Sequence, residues 1–191
     1  YSYNKITHSN WGDDLNVLFL KEISEDCILP GRFLISTRSI PFLWLKRCRQ
    51  YRFIGSVIGF VYNDNTTIWG SGMINEKSFP ATKHIEFLSV RGPLTRKCLI
   101  EKGYDCPEIY GDPALLLPYY YRPNKKQLKY KLGIIPHYTD YDKPELDKFK
   151  SNSEVQVIRV YDYSKWTDVI DEICNCEFIA SSSLHGIIAS E

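Results

Sequence analysis

The chain has 191 residues, 43% of them hydrophobic and 25% charged, which suits one large or two small globular domains. Its formal net charge of +1 supplies no bulk field toward nucleic acid, so no nucleic-acid partner is expected. No apolar run approaches the roughly 20 residues that cross a bilayer, and the start, Tyr1-Ser2-Tyr3-Asn4-Lys5, lacks the apolar stretch of a secretory signal.

In chain order, weak alternation over Tyr1 to Thr7 predicts a first strand, and Asn10-Trp11-Gly12-Asp13 predicts a turn. Leu15, Leu18, Phe19 and Ile23 then fall at helical spacing, with Asp13 or Asp14 as the expected cap. Phe53 to Ile58 and Thr66 to Trp69 read as short strands. Gly70-Ser71-Gly72 ends the second in a turn that small residues permit. Ile85 to Val90 is a further strand. Pro93 suits the first position of a helix whose buried face is expected at Leu94, Cys98 and Leu99, and Gly103 suits its stop. Ile109 to Pro113 closes another strand.

The segment from Pro118 to Lys126 interrupts this rhythm with two prolines and a basic cluster, and reads as a connection between domains. The alternation then restarts. Leu132 to Ile135 delivers Pro136-His137-Tyr138. Val155 to Val160 is a strand, Ser164 is the expected cap of a helix bearing Trp166, Val169, Ile170 and Ile173, and Phe178 to Ala180 runs into Ser181-Ser182-Ser183-Leu184-His185-Gly186. Strands alternating with helices predict an α/β fold with parallel sheets. The restart predicts an N-terminal domain over 1–118, a linker over 119–130 and a C-terminal domain over 131–191. The chain opens without an initiator Met and stops at Glu191 as a helix begins, so terminal residues are expected to be missing and the second domain is expected to be incomplete.

Carboxyl ends of strands in open α/β sheets are where ligands bind, and helix starts beside them favour anions. His185 sits at such a junction beside Ser182, Ser183 and Gly186. A neutral imidazole there takes a proton and a cationic one holds phosphate, although a purely structural histidine fits the same pattern. Arg91 is placed to grip phosphate or carboxylate through two N–H groups, or to serve as a surface or salt-bridging arginine. His137 can line a sugar-sized site with Tyr138, Asp140 and Tyr141. Asp112, before Pro113, reads foremost as a turn residue. Asn10, Trp11 and Gly12, neighbours of the helix-capping Asp13 and Asp14, are expected at the mouth of the first domain. The six cysteines, at 27, 48, 98, 106, 174 and 176, include no Cys-x-x-Cys pair and read as reduced thiols, and no spacing suggests a metal site. Phosphate-loop, G-x-G-x-x-G and G-x-S-x-G signatures are absent from the sequence.

In order, Asn10-Trp11-Gly12-Asp13-Asp14-Leu15-Asn16, Phe53-Ile54-Gly55-Ser56, Ile68-Trp69-Gly70-Ser71-Gly72, Val90-Arg91-Gly92-Pro93-Leu94-Thr95, Tyr110-Gly111-Asp112-Pro113-Ala114, Gly133-Ile134-Ile135-Pro136-His137-Tyr138 and Ser182-Ser183-Leu184-His185-Gly186 resemble the polysaccharide pyruvyl transferase family. The resemblance covers nearly the whole chain. It implies two Rossmann-like domains facing across a cleft, as in the GT-B glycosyltransferases. It also implies transfer of pyruvate from phosphoenolpyruvate to two hydroxyls of a sugar as a ketal, with release of phosphate, in exopolysaccharide or cell-envelope polysaccharide synthesis. By the same resemblance Arg91 and His185 are the residues implicated in donor binding or catalysis.

Ser182, Ser183, Gly186 and His137 are then expected to bind substrate. Gly70 and Ser71 are expected to bind substrate as well, and the acceptor is expected near Asn10, Asp13 and Gly72. Phosphoenolpyruvate enters as donor substrate, with no cofactor and no metal. The acceptor is a sugar or a lipid-linked oligosaccharide. The expected location is the cytoplasm, with peripheral membrane association left open and the oligomeric state not legible. Two other readings stay open: a GT-B glycosyltransferase using a nucleotide sugar, and a catalytically inactive sugar-binding protein of a polysaccharide assembly system.

Overall fold

The computed structural model describes residues 10–23, 49–62, 64–123 and 128–191. The strand expected over Tyr1 to Thr7, with His8, Cys27 and Cys48, lies outside the described residues. The architecture is mixed α/β, and the chain divides into two compact units. One gathers the described residues between 49 and 113, and the other gathers 10–23 with 114–191.

The first unit holds a parallel three-stranded sheet in the order β1 (Gln50–Arg52), β2 (Thr66–Trp69), β3 (Ile85–Ser89). Gln50 pairs with Thr66, and Ile68 with Phe87. Beyond β3, Val90 forms a parallel bridge with Tyr110. Helix α2 (Pro93–Glu101) starts on Pro93, whose missing N–H costs nothing at a helix start. The chain turns away at Gly103, where φ is +78°, a conformation that favours glycine. Ile58, Val61, Ile68, Phe87, Val90, Leu99, Tyr104 and Cys106 form one buried core.

Two expectations need correction here. Phe53 to Ile58 is not a strand; β1 precedes it, and Ile58–Phe60 is a 3-10 turn. Phe53 and Ile54 are apolar because they are buried, at 1% and 0% exposure, and not because they are extended. Gly55, at φ +98°, turns the chain between them and the 3-10 turn. The second correction is Leu94, which is 78% exposed and does not join Leu99 on the buried face.

The second unit holds a parallel sheet in the order β5 (Val155–Val157), β4 (Tyr130–Ile135), β6 (Cys176–Ser181). Gly133 of β4 admits no side chain: a Cβ there would lie 2.6 Å from Ile179 Cδ1 and 2.8 Å from Cys176 Sγ. Helices α4 (Asp147–Lys150), α5 (Trp166–Cys174) and α6 (Leu184–Ser190) follow β4, β5 and β6. The start of α5 is capped by Asp168, whose carboxylate accepts from the N–H groups of Ser164 and Lys165, so the Ser164 side chain is not the cap.

Helix α1 (Trp11–Ile23) belongs to this second unit and not, as chain order suggests, to the first. Trp11 N–H donates to Val160 O at 2.7 Å and Trp11 Nε1–H to Trp166 O at 2.8 Å. Phe19 meets Tyr120 edge-on, with ring centroids 5.2 Å apart. Trp11, Leu15 and Phe19 are fully buried. Tyr120 lies on a short helix, α3 (Leu117–Tyr120), and the Tyr121 hydroxyl donates to Asp171 at 2.7 Å. Part of the segment expected as a linker is therefore packed into the second unit. Among the described residues no helix is long and apolar enough to cross a membrane.

The burial pattern sets an expected outcome. Leu99→Ala opens a cavity in the first unit's core and is expected to cost about 2–5 kcal/mol. Leu94→Ala, five residues away on the same helix, is expected to stay within about 0.5 kcal/mol of the parent. Urea unfolding of the two variants checks the pair.

Candidate functional site

Strand order locates the first constellation. β4 is central, so the chain leaves it for β5 on one side and returns through α5 to β6 on the other. The carboxyl ends of β4 and β6 thus flank a topological switch point, the place where open α/β sheets bind ligands. His137 lies two residues beyond β4, and Ser182 directly follows β6. They are joined by a hydrogen bond from His137 N–H to Ser182 Oγ, at 2.8 Å, and Ser182 N–H donates to Ile135 O at 3.1 Å. His137 Nδ1 lies 2.7 Å from Thr139 Oγ1, and its ring tilts against Tyr138 at 4.4 Å between centroids.

β6 turns directly into α6. Ser183 has extended backbone (φ −90°, ψ 127°), and its Oγ accepts from Gly186 N–H at 3.4 Å, a long capping bond. Gly186 has no room for a side chain: a Cβ would lie 2.5 Å from Ser181 Oγ and 2.8 Å from Ile135 Cγ2. This close approach draws the first turn of α6 onto the carboxyl end of the sheet. His185, in that turn, is 7% exposed.

The first turn of α1 meets the imidazole. A Cβ on Gly12 would lie 2.1 Å from His185 Nδ1 and 2.5 Å from its Cγ, so the ring occupies the space a side chain would take. Asn10 shapes the same turn. Its Oδ1 accepts from Gly12 N–H at 3.2 Å, and its Nδ2 donates to Asp13 Oδ2 at 3.0 Å. Asn10, and not Asp13 or Asp14, therefore caps α1. Burial pushes the Asp13 carboxyl above its ordinary value of 3.8. Nearby His185 opposes that, Asp14 adds to it, and the Asn10 hydrogen bond and His137 oppose it. Asp14 is itself buried and accepts from the Tyr163 hydroxyl.

The second constellation lies in the first unit, again where strands end. Ser71 Oγ donates to Phe53 O at 2.9 Å, Gly72 N–H to Gly55 O at 2.9 Å and Arg91 N–H to Ser71 O at 3.1 Å, which ties the turns after all three strands together. Gly70, at φ +79°, lies so close to Pro113 that a Cβ would meet its Cδ at 2.3 Å. The Arg91 guanidinium rests on Gly72, where a Cβ would be 2.8 Å from Nη2. Nη2 donates to Ser56 Oγ at 3.1 Å. Nε lies 3.4 Å from Asp112 Oδ2, an ion pair without the alignment of a hydrogen bond. Asp112 is 2% exposed and Arg91 18%. Burial lowers the Arg91 pKa and Asp112 raises it. Asp112 is thus the partner of Arg91 and not a simple turn residue.

The structure brings Asn10, Asp13, His137, Ser182, Ser183, His185 and Gly186 into one unit. It brings Gly70, Ser71, Gly72 and Arg91 into the other. Asn10 and Asp13 are a correction, because α1 carries them to the His185 turn of the second unit, whereas Gly72 belongs to the first. Ser56, as an Arg91 partner, escaped residue-level reading and is traced only by its place in a short motif, while Gly12 and Asp112 were singled out in the sequence for other roles, a domain mouth and a turn. Among the described residues no group of three or more His, Cys, Asp or Glu is placed to hold a metal ion. Among the described residues Cys98, Cys106, Cys174 and Cys176 form no disulfide.

A family model described as polysaccharide pyruvyl transferase matches residues 80–191, from just before β3 through α6. The chain belongs to the polysaccharide pyruvyl transferase family. The matched stretch contains Arg91, Asp112, His137 and His185. An uncharacterized protein of Acanthamoeba polyphaga mimivirus is 32% identical over 143 residues, covering 73% of this chain and 48% of that protein. The chain thus spans about half the length of the curated relative it matches. No solved structure matches.

Two outcomes are expected of the site. Asp112→Ala leaves the guanidinium without its counter-charge and is expected to cost about 2 kcal/mol in urea unfolding, less than the 3–5 kcal/mol of a fully buried pair because Arg91 keeps a water-facing edge. For Asp13, the folded pKa lies above the unfolded value, so its relative stabilisation is fully present below about pH 3.8 and is lost as pH rises through the folded value. Asp13→Asn is therefore expected to gain stability relative to the parent as pH climbs through that window. Melts of both proteins across the acidic range read the difference.

Proposed function

We propose that this chain carries a pyruvyl transferase site. It moves the enolpyruvyl carbons of phosphoenolpyruvate onto two hydroxyls of a sugar as a cyclic ketal and releases phosphate. The acceptor is a sugar or lipid-linked oligosaccharide in the synthesis of exopolysaccharide or another cell-envelope polysaccharide. The observation that carries the reading is His185, buried in the first turn of a helix at the β4/β6 switch point and seated against Gly12 beside Asp13. Family membership over the stretch that includes His185 and Arg91 supports it.

The chemistry asks for two things these residues offer. The donor carries phosphate and carboxylate, which need cationic or N–H partners. Arg91 supplies a guanidinium oriented by Asp112 and Ser56. Ser182 and Ser183 supply hydroxyls, and the start of α6 supplies N–H groups.

The reaction also needs proton movement. The methylene carbon of the donor gains a proton and becomes methyl. The first sugar hydroxyl bonds to the central carbon and loses its proton. The second hydroxyl bonds to the same carbon as the carbon–oxygen bond to phosphate breaks, and its proton leaves with the phosphate. His185 is assigned as the acid–base group, a role worth roughly 100- to 10,000-fold. The scheme calls on no further cofactor. Each unit is taken as a Rossmann-like half of the GT-B kind. The work is placed in the cytoplasm, and a lipid-linked acceptor would draw the protein to a membrane surface peripherally.

Phosphate release from phosphoenolpyruvate, measured against a panel of sugar and lipid-linked acceptors, tests the proposal. The expected result is saturable, acceptor-dependent release that falls at least about 100-fold in His185→Ala and in Arg91→Ala, with His84→Ala, an exposed site, unchanged. Nucleotide release from a nucleotide sugar, or sugar binding without turnover of phosphoenolpyruvate, would overturn it. Normal turnover by either variant would remove that residue from its role.

A further inference from the structure

The first turn of α1 has no account in the family chemistry above, yet each residue of Asn10-Trp11-Gly12-Asp13 has a distinct job there. Trp11 anchors the turn. It is fully buried, its N–H donates to Val160 O at 2.7 Å and its indole N–H to Trp166 O at 2.8 Å. Asn10 shapes the turn, accepting from Gly12 N–H with Oδ1 and donating to Asp13 Oδ2 with Nδ2. Gly12 provides a bare backbone surface, and the imidazole of His185 fills the place where a Cβ would be, 2.1 Å from Nδ1. Asp13 follows directly, and its Oδ2 is held by Asn10 Nδ2 at 3.0 Å; burial pushes its pKa up, His185 on α6 opposes that, Asp14 on α1 adds to it and His137 after β4 opposes it.

We infer that this turn is a positioning device for His185: Gly12 seats the ring, and the Asp13 carboxylate, locked by Asn10, fixes its orientation. The arrangement is specific in a way that general packing is not. A buried imidazole would pack as well against alanine, and a helix start is capped by Asn10 alone. Only the combination of a missing side chain and a fixed adjacent carboxylate constrains both the place and the polarity of the ring. His185 thereby reaches the reaction in one orientation, and the entropic cost of arranging it is met during folding. Asp13 is a positioning residue in this account. It acts through His185 and is not assigned to the acceptor.

The inference rests on the proposed function for its catalytic readout, so its test has a second arm that needs no turnover. In that arm, nitrogen-15 NMR of the histidine rings is recorded in the parent, Asp13→Asn and Gly12→Ala proteins, with thermal melts to verify folding. The expected result is that the His185 ring signals shift in both variants while those of exposed His84 stay in place. Unchanged His185 signals in folded Asp13→Asn would overturn the inference whatever the protein catalyses. Should Gly12→Ala fail to fold, Asp13→Asn carries this arm alone.

The kinetic arm measures phosphate release in Asp13→Asn. The expected result is a fall in kcat of at least about tenfold, with KM for phosphoenolpyruvate nearly unchanged, the pattern of an interaction lost from the transition state alone. An equal loss confined to KM would show that Asp13 binds substrate and would overturn the positioning role. Absence of turnover in the parent protein counts against the proposed function and leaves the NMR arm to decide the positioning.

Discussion

A backbone pressed against an aromatic ring is the tightest constraint in the second unit. His185 Nδ1 occupies the volume that any side chain at position 12 would need. For that contact to exist, α1 must lie over the start of α6, and Trp11 must be buried deep enough to hold it there. The start of α6 must in turn lie on the carboxyl end of the sheet, which Gly186 permits by bringing its own backbone against Ser181 and Ile135. Two glycines from opposite ends of the sequence therefore set the depth of one imidazole. Core packing tolerates exchanges of similar volume, but a side chain added at position 12 requires the His185 ring to move.

The first unit solves a different problem. A guanidinium placed at a helix start opposes the helix dipole and loses hydration when it is covered. Here Asp112 offsets the charge and Ser56 occupies one nitrogen, while the turns after the three strands are tied to one another through the backbone. Gly70 and Gly72 serve this arrangement by absence, one letting Pro113 approach and the other letting the guanidinium lie flat on the chain. The outcome is a cation with a fixed direction and a small exposed edge, suited to recognising an anion by geometry as well as by charge.

Both constellations arise from one feature of parallel sheets. Strands that run the same way end together, so the turns that follow them converge although they are distant in sequence. In the second unit the central place of β4 adds a switch point, and His137 and Ser182 flank it. Short motifs dispersed along a chain, each weak by itself, are what such convergence looks like in one dimension.

The elements whose identity depends on local chemistry were legible in the sequence. Thr66 to Trp69 has the β-branched and aromatic residues of a strand, Pro93 and Gly103 bracket α2, and the apolar face of α5 follows helical spacing. The small-residue turns and the His185 junction were also readable, because their residue types have few other uses at the end of a strand. Long-range contacts were not. Phe53 and Ile54 mimic a strand because hydropathy reports burial and not extension, whereas the polar β1 is defined by its pairing with β2. Asp112 resembles a turn aspartate until the fold brings Arg91 beside it. The residence of α1 in the second unit, and with it the union of Gly12 and Asp13 with His185, was decided by tertiary structure alone, since the partners of Trp11 are about 150 residues away and no local pattern encodes which core a buried tryptophan will enter.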